Sequence, residues 1–268
     1  MIREKYIRNL DEIFGLIAEP AEPNEFGRYR SLFVYRGLPN IDFHLQTSLQ
    51  RNCKDCYRLL EPKILSNFKK YAQTEDPSID RSVWRQMILG QHHGLPTRLL
   101  DWTHSQLVAL HFAMSEYDMD QLDKHDCVIW RINILEFDDF LPEKYQLIRR
   151  KTGANVFSVD MLAEACNDLA QYDEDMQNKA MIIIEPPSID PRIVNQYSFF
   201  SVVPGGISNI EEFFSTSSDI HVVKYIISKE IRWRVRDILD ETNMNERMIY
   251  PGLDGISKWI AKHYFVKE

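Results

Sequence analysis

Between Gln91 and Ser105 the chain reads Gln91-His92-His93-Gly94-Leu95-Pro96-Thr97-Arg98-Leu99-Leu100-Asp101-Trp102-Thr103-His104-Ser105, and an apolar run to Ala113 follows. Imidazoles, a guanidinium, a carboxylate and hydroxyls seldom crowd a core segment, whereas loops that carry function often hold them. His92 or His93 can exchange a proton near neutral pH. Adjacent residues of a helix point about 100° apart, so one of the two faces a site while the other packs or caps. Thr97, Arg98, Asp101, Thr103 and Ser105 flank the start of the next helix, where free amides and the helix dipole favour an anion. Asp101 can cap those amides, pair with Arg98 or hydrogen-bond a ribose. Trp102 is either core or a face on which an aromatic ring stacks.

A second cluster lies upstream. Arg36 ends the apolar run Leu32-Phe33-Val34-Tyr35 and precedes Gly37. Arginine offers a planar fork of donors to phosphate or carboxylate, and a glycine lets a ligand approach the backbone. The competing reading of Arg36 is a salt bridge at a strand end. Glu61, Glu164, Glu185, Glu211 and Glu212 are further candidate bases, none with a distinctive partner pattern.

The elements that must position these groups belong to an ordinary globular chain. It has 268 residues, 44% of them hydrophobic and 27% charged, enough to bury a sizeable core. A net charge of -8 disfavours a general grip on nucleic acid, although a local basic cleft is compatible with it. The first residues lack the apolar stretch of a signal peptide, and no apolar run reaches a membrane span of about 18 residues. The expectation is a cytoplasmic protein with reduced thiols and no membrane partner. Cys53-Lys54-Asp55-Cys56 lacks the second close pair of a structural zinc site, so no metal is expected. No H-E-x-x-H, P-loop, G-x-S-x-G or G-x-G-x-x-G pattern occurs.

Periodicity predicts helices over 9–19 (ended by Pro20 and Pro23), around Ile64–Tyr71 with Pro62 in the first turn, and over 83–91. Further helices are predicted over 105–117, 161–169, 230–239 and 256–264. Thr103 or Ser105 is placed to cap the 105–117 helix. Short β-branched runs predict strands at 31–35, 127–132, 180–184, 199–203 and 221–227, with Leu99-Leu100 a very short strand or an extended turn. Strands and helices mix without regular alternation, which favours a single α+β domain over a doubly wound sheet.

Phe33-Val34-Tyr35-Arg36-Gly37 followed by Ser48-Leu49-Gln50-Arg51 resembles the start of the FRG domain family, with Tyr35 where the family's Phe-Arg-Gly has Phe. The Gln91–Ala113 segment is similar to that family's most specific signature. Pro191 to Phe200 resembles a later R-I-x-x-Q-x-G-x-F strand with Ser198 for Gly, and Ile249-Tyr250-Pro251-Gly252-Leu253-Asp254-Gly255-Ile256 resembles its ending. The resemblance spans about residues 30–260. It divides the chain into an N-terminal helical extension, 1–29, and an FRG-like domain, 30–268.

The order of motifs is in turn similar to that of ADP-ribosyltransferases, which implies a mixed small-sheet core surrounded by helices. It also implies NAD as substrate and a protein or RNA acceptor, in a toxin or phage-defence effector with an antitoxin or regulatory partner. Under that resemblance Arg36 contacts the NAD phosphate or ribose and Thr103 orients the nicotinamide-side ribose. Gly37, Thr97, Arg98, Asp101 and Trp102 line the pocket. His92 or His93 binds the adenosine side or serves the acceptor. Gln196 takes a third position where such enzymes commonly have Glu. That departure supports an alternative: a nucleotide-binding or protein-interaction module that does not turn over. A third reading is another nucleotide or nucleic-acid enzyme built on the histidine pair.

Overall fold

The structure, a computed structural model, describes residues 1–19, 22–217 and 220–267; Pro20, expected to end the first helix, lies outside them. One mixed sheet of eight strands organises the chain: β1 (Ile2–Ile7), β2 (Phe33–Leu38), β3 (Leu99–Thr103), β4 (Cys127–Asn133), β5 (Phe157–Ser158), β6 (Ile182–Glu185), β7 (Ser198–Val202) and β8 (Val222–Ile227). Their spatial order is β1-β8-β4-β2-β3-β7-β6-β5. The outer pairs β1–β8 and β5–β6 are parallel, and the inner pairs are antiparallel. Helices and an eight-stranded mixed sheet together make the α+β class expected from the sequence.

Side chains alternate across the sheet as a two-residue period requires. Val128, Trp130 and Ile132 of β4, Leu100 and Trp102 of β3, and Ile183 of β6 enter one core. Cys127 and Ile129 enter a second core, under the helices Leu10–Ile17, Gln106–Ala113 and Lys229–Glu241. Leu99, Ile182, Ile184, Phe200 and Val202 enter a third, with Trp84, Met87 and Ile88 of the helix Val83–His92. One face of the sheet thus carries a single core, and the other carries two, one over each half.

Between those halves the ladder nearly lapses. β2 pairs with β4 from Phe33 to Leu38, and β3 pairs with β7 from Leu99 to Thr103. β2 and β3 meet in register only at Tyr35 and Thr103. The sheet therefore opens into a seam, and the residues on its two lips are Arg36 and Asp101.

Several local expectations change. Ile2–Ile7 forms a strand on β8, although the sequence suggested only a helix in the segment 1–29. The helix around Ile64–Tyr71 starts earlier, at Tyr57, which puts Pro62 inside it rather than in its first turn. The 105–117 helix stops at Ala113, capped by the Ser105 hydroxyl, which accepts from the Val108 amide. The 161–169 helix is two helices, Val159–Ala165 and Leu169–Met176, interrupted before the new cap at Asp168. Pro191–Asn195 is a short helix with Pro at its start and Asp190 as its cap; the strand it was read into begins only at Ser198. Among the described residues no helix is long and apolar enough to cross a membrane.

Candidate functional site

The seam holds a cavity of about 200 Å³. Its walls include Tyr35, Arg36 and Gly37 from β2, Asp101 to Thr103 from β3, and Arg192, Gln196 and Ser198 from the turn into β7. Arg36 Nη1 donates to the main-chain carbonyl of Asp101 at 2.7 Å and lies 3.4 Å from Asp101 Oδ2. Burial pulls the Arg36 pKa below its ordinary value; Asp101 opposes that, and Arg51 adds to it. Asp101 Oδ2 also accepts from Gln91 Nε2 at 3.0 Å. The sequence left open whether Asp101 caps the next helix, pairs with Arg98 or waits for a ribose. In the structure its partners are Arg36 and Gln91, because strand alternation sends Asp101 to the open seam.

Thr103 Oγ1 donates to the main-chain carbonyl of Gln196 at 2.6 Å and accepts from the Ser105 amide. It therefore ties β3 to the end of the Pro191–Asn195 helix. Gln196 sits at that helix's C-cap, and its Nε2 donates to the Ile249 carbonyl at 3.4 Å. Arg36, Thr103 and Gln196, far apart in the chain, are thus brought to one cavity.

Gly37 has a packing role that the sequence did not show. A Cβ there would lie 2.0 Å from the Ala109 carbonyl oxygen and 2.7 Å from the Ala113 nitrogen. The missing side chain makes room for the backbone of the Gln106–Ala113 helix, and the residue also lines the seam cavity. Trp102 is buried at 3% exposure, with Nε1 donating to Ser201 Oγ, so its indole is mainly core and only part of it reaches the cavity.

Thr97 and Arg98 are not brought to the seam. The Thr97 hydroxyl donates to Gln91 Oε1 at 2.7 Å and accepts from the Leu99 amide, which holds the loop ahead of β3 in place. Arg98 is buried between Glu61 and Asp173: Nε donates to Glu61 Oε1 at 2.7 Å and Nη1 to Asp173 Oδ1 at 2.6 Å. Burial works against the charge on Arg98, but the two carboxylates raise its pKa on balance. Such a buried, fully partnered guanidinium holds structure together.

A second, larger cavity of about 1130 Å³ adjoins the first and shares Arg192 with it. His92 lines it, its Nε2 3.1 Å from Asp190 Oδ2, while His93 caps the end of its helix and packs edge-on against His92. One histidine at a cavity and one at a cap is the division that helix geometry required. Arg192 stands over the Tyr250 ring at 4.9 Å, and Lys258 lies 5.2 Å from the same ring. Burial raises the Tyr250 pKa. The sequence reading did not nominate Arg192 or Tyr250 as site residues. The available signal was the four-residue spacing of Arg192 and Gln196, across a short helix and its cap, and the Tyr-Pro-Gly turn at 250–252.

Among the described residues no group of three or more His, Cys, Asp or Glu side chains is arranged to hold a metal ion, and all four cysteines are free thiols. No curated protein and no solved structure matches the chain. Residues 31–121, which carry Arg36 on β2, Asp101 and Thr103 on β3 and the helix that follows, match the FRG domain, so the chain carries an FRG domain over that segment.

Proposed function

We propose that the chain is an NAD-using ADP-ribosyltransferase-like protein that moves ADP-ribose to a protein or RNA acceptor. The observation that carries this reading is the convergence of Arg36, Asp101, Thr103 and Gln196 on one seam cavity walled in part by Tyr35, Trp102 and Phe112. Aromatic walls suit a planar nicotinamide ring, and convergent polar groups suit the attached ribose. In the reaction the bond from C1′ to the nicotinamide nitrogen breaks, and its electron pair leaves with the ring. The acceptor heteroatom bonds to C1′ and releases a proton.

Positive charge develops on the sugar along the way, and a fixed carboxylate stabilises it. Gln196 cannot supply that charge. Asp101 is the acid that lines the cavity, and it takes the part that a glutamate at the third position plays in similar enzymes. Arg36 contacts the phosphate or ribose, Thr103 and Gln196 shape the ribose end, and the large neighbouring cavity beyond Arg192 admits the acceptor, with His92 on its wall.

A second reading, binding without turnover, is favoured by one observation: the Thr103 hydroxyl is already bonded to Gln196 and Ser105, and Gln196 brings an amide. Incubation with labelled NAD and cell extract separates the two. Nicotinamide release with label on a macromolecule, lost in Arg36→Ala, is the expected result. Arg36-dependent NAD binding with no release would leave the binding module, and neither binding nor release would sink the NAD reading.

A further inference from the structure

A third cavity, also about 200 Å³, lies on the other side of the Arg36–Asp101 pair. Its lining includes Arg36, Arg51, Ser48, Asn52 and Gln91, with no aromatic side chain. Arg51 appears in no ion pair and no side-chain hydrogen bond among the described residues, whereas Arg36 already has Asp101. The cavity thus holds two guanidiniums against one carboxylate, a surplus of positive charge at a polar wall. Arg36 also keeps its Nε buried without a hydrogen-bond partner among the described residues.

Arg51 is exposed and Arg36 largely buried, and the nearby Arg51 charge adds to what burial already does against the charge on Arg36. The short Ser48–Cys53 helix favours a cation near its last turn, where Arg51 sits, but that does not explain why Arg51 lines the same cavity as Arg36. An anion with several acceptor oxygens removes the repulsion and matches the planar donor forks.

We propose that Arg36 and Arg51 together hold a diphosphate in this polar cavity. The inference rests on the NAD reading for the identity of the natural ligand, and it adds where the dinucleotide's anionic joint lies. Arg36 and Asp101 line both the seam cavity and this one, so a single ligand can pass from one to the other at that pair. Ring and sugar occupy the side with aromatic walls, and the diphosphate occupies the side with two arginines. Ser48 and Asn52 offer further hydrogen bonds to its oxygens.

The test uses inorganic pyrophosphate and nicotinamide as separate probes, titrated into the full chain by calorimetry and followed by phosphorus NMR. Wild-type protein binds pyrophosphate, and Arg51→Gln weakens that binding by about tenfold or more while leaving nicotinamide binding unchanged. Arg51→Lys, which keeps the charge but loses the fork, falls between the two. Thermal melting of each variant confirms that the fold persists. If pyrophosphate does not bind, or binds wild type and folded Arg51→Gln equally, the diphosphate site is overturned. Arg51-dependent pyrophosphate binding without any NAD consumption would keep the site and remove the transferase reading. NAD consumption with a KM that Arg51→Gln leaves untouched would do the reverse.

Discussion

Arg36 and Asp101 face each other across the seam between β2 and β3, and their shortest contact, 2.7 Å, is from the guanidinium to the Asp101 main chain rather than to its carboxylate. The anchor that holds the lips together is therefore separable from the charge that Asp101 presents.

That separation gives the first prediction. Asp101→Asn keeps the main-chain acceptor for Arg36 and should leave NAD binding within a few-fold of wild type. Nicotinamide release should fall by about 10²-fold, the usual cost of losing one preorganised electrostatic partner of a transition state. Steady-state release and equilibrium binding, measured side by side, check it. Equal losses in both would show that the carboxylate serves binding alone.

Gly37→Ala should be costly for a reason unconnected with ligand. Its methyl group would meet the Ala109 carbonyl at 2.0 Å, and both β2 and the Gln106–Ala113 helix are backbone that cannot rotate away. A loss of about 3 kcal/mol is expected, at the upper end of overpacking. Denaturant unfolding measures it; a variant as stable as wild type would mean that the helix can retreat from β2.

Arg98 offers a contrast with Arg36. Arg98→Met leaves Glu61 buried and unpaired, at a cost of about 3–5 kcal/mol. The double change Arg98→Met with Glu61→Leu should recover most of that loss, because no deeply buried lone charge remains; Asp173 is partly exposed and keeps the Gly205 amide. NAD binding by the refolded double variant should match wild type. A stable double variant blind to NAD would return Arg98 to the ligand site.

Stability should also respond to acid through His111. It is buried in the Gln106–Ala113 helix, and burial, with Arg236 and Lys262, lowers its pKa from 6.5 to about 4 against the pull of Glu246. A group depressed in the folded state is stabilising above its unfolded pKa, and that contribution drains away as pH falls from 6.5 through about 4. The size is roughly 3 kcal/mol. His111→Leu should flatten this limb relative to wild type in melts taken across that window. Parallel curves would mean that the imidazole charges without cost.

The sequence was most informative where a signal was local. β-branched runs such as Val128-Ile129-Trp130 and Ile182-Ile183-Ile184 read as strands because both of their faces are buried. β1 did not, because Arg3, Glu4 and Lys5 dilute an edge strand that buries little beyond Ile7. Arg36, Thr103 and Gln196 were legible as motif positions and share a cavity. Thr97 and Arg98, four and three residues from Asp101, looked equally promising, yet Arg98 precedes β3 and turns toward Glu61 and Asp173. Such turns, and the approach of Arg51 and Arg192 from distant segments, depend on tertiary packing that no local pattern encodes. Gln196 and Arg192 also lie outside the matched FRG segment.

The single rung at Tyr35 and Thr103 has a further meaning for the lineage of such a site. A cleft framed by full hydrogen-bond ladders can be widened only by breaking main-chain bonds, and each lost bond must be replaced. Here the two half-sheets share a core on one face but carry separate cores on the other, so on that other face the width and chemistry of the gap rest on replaceable side chains. Exchanging residues on the lips can redirect the cleft to another ligand while all three cores stay intact, which makes this a scaffold whose specificity can drift faster than its fold.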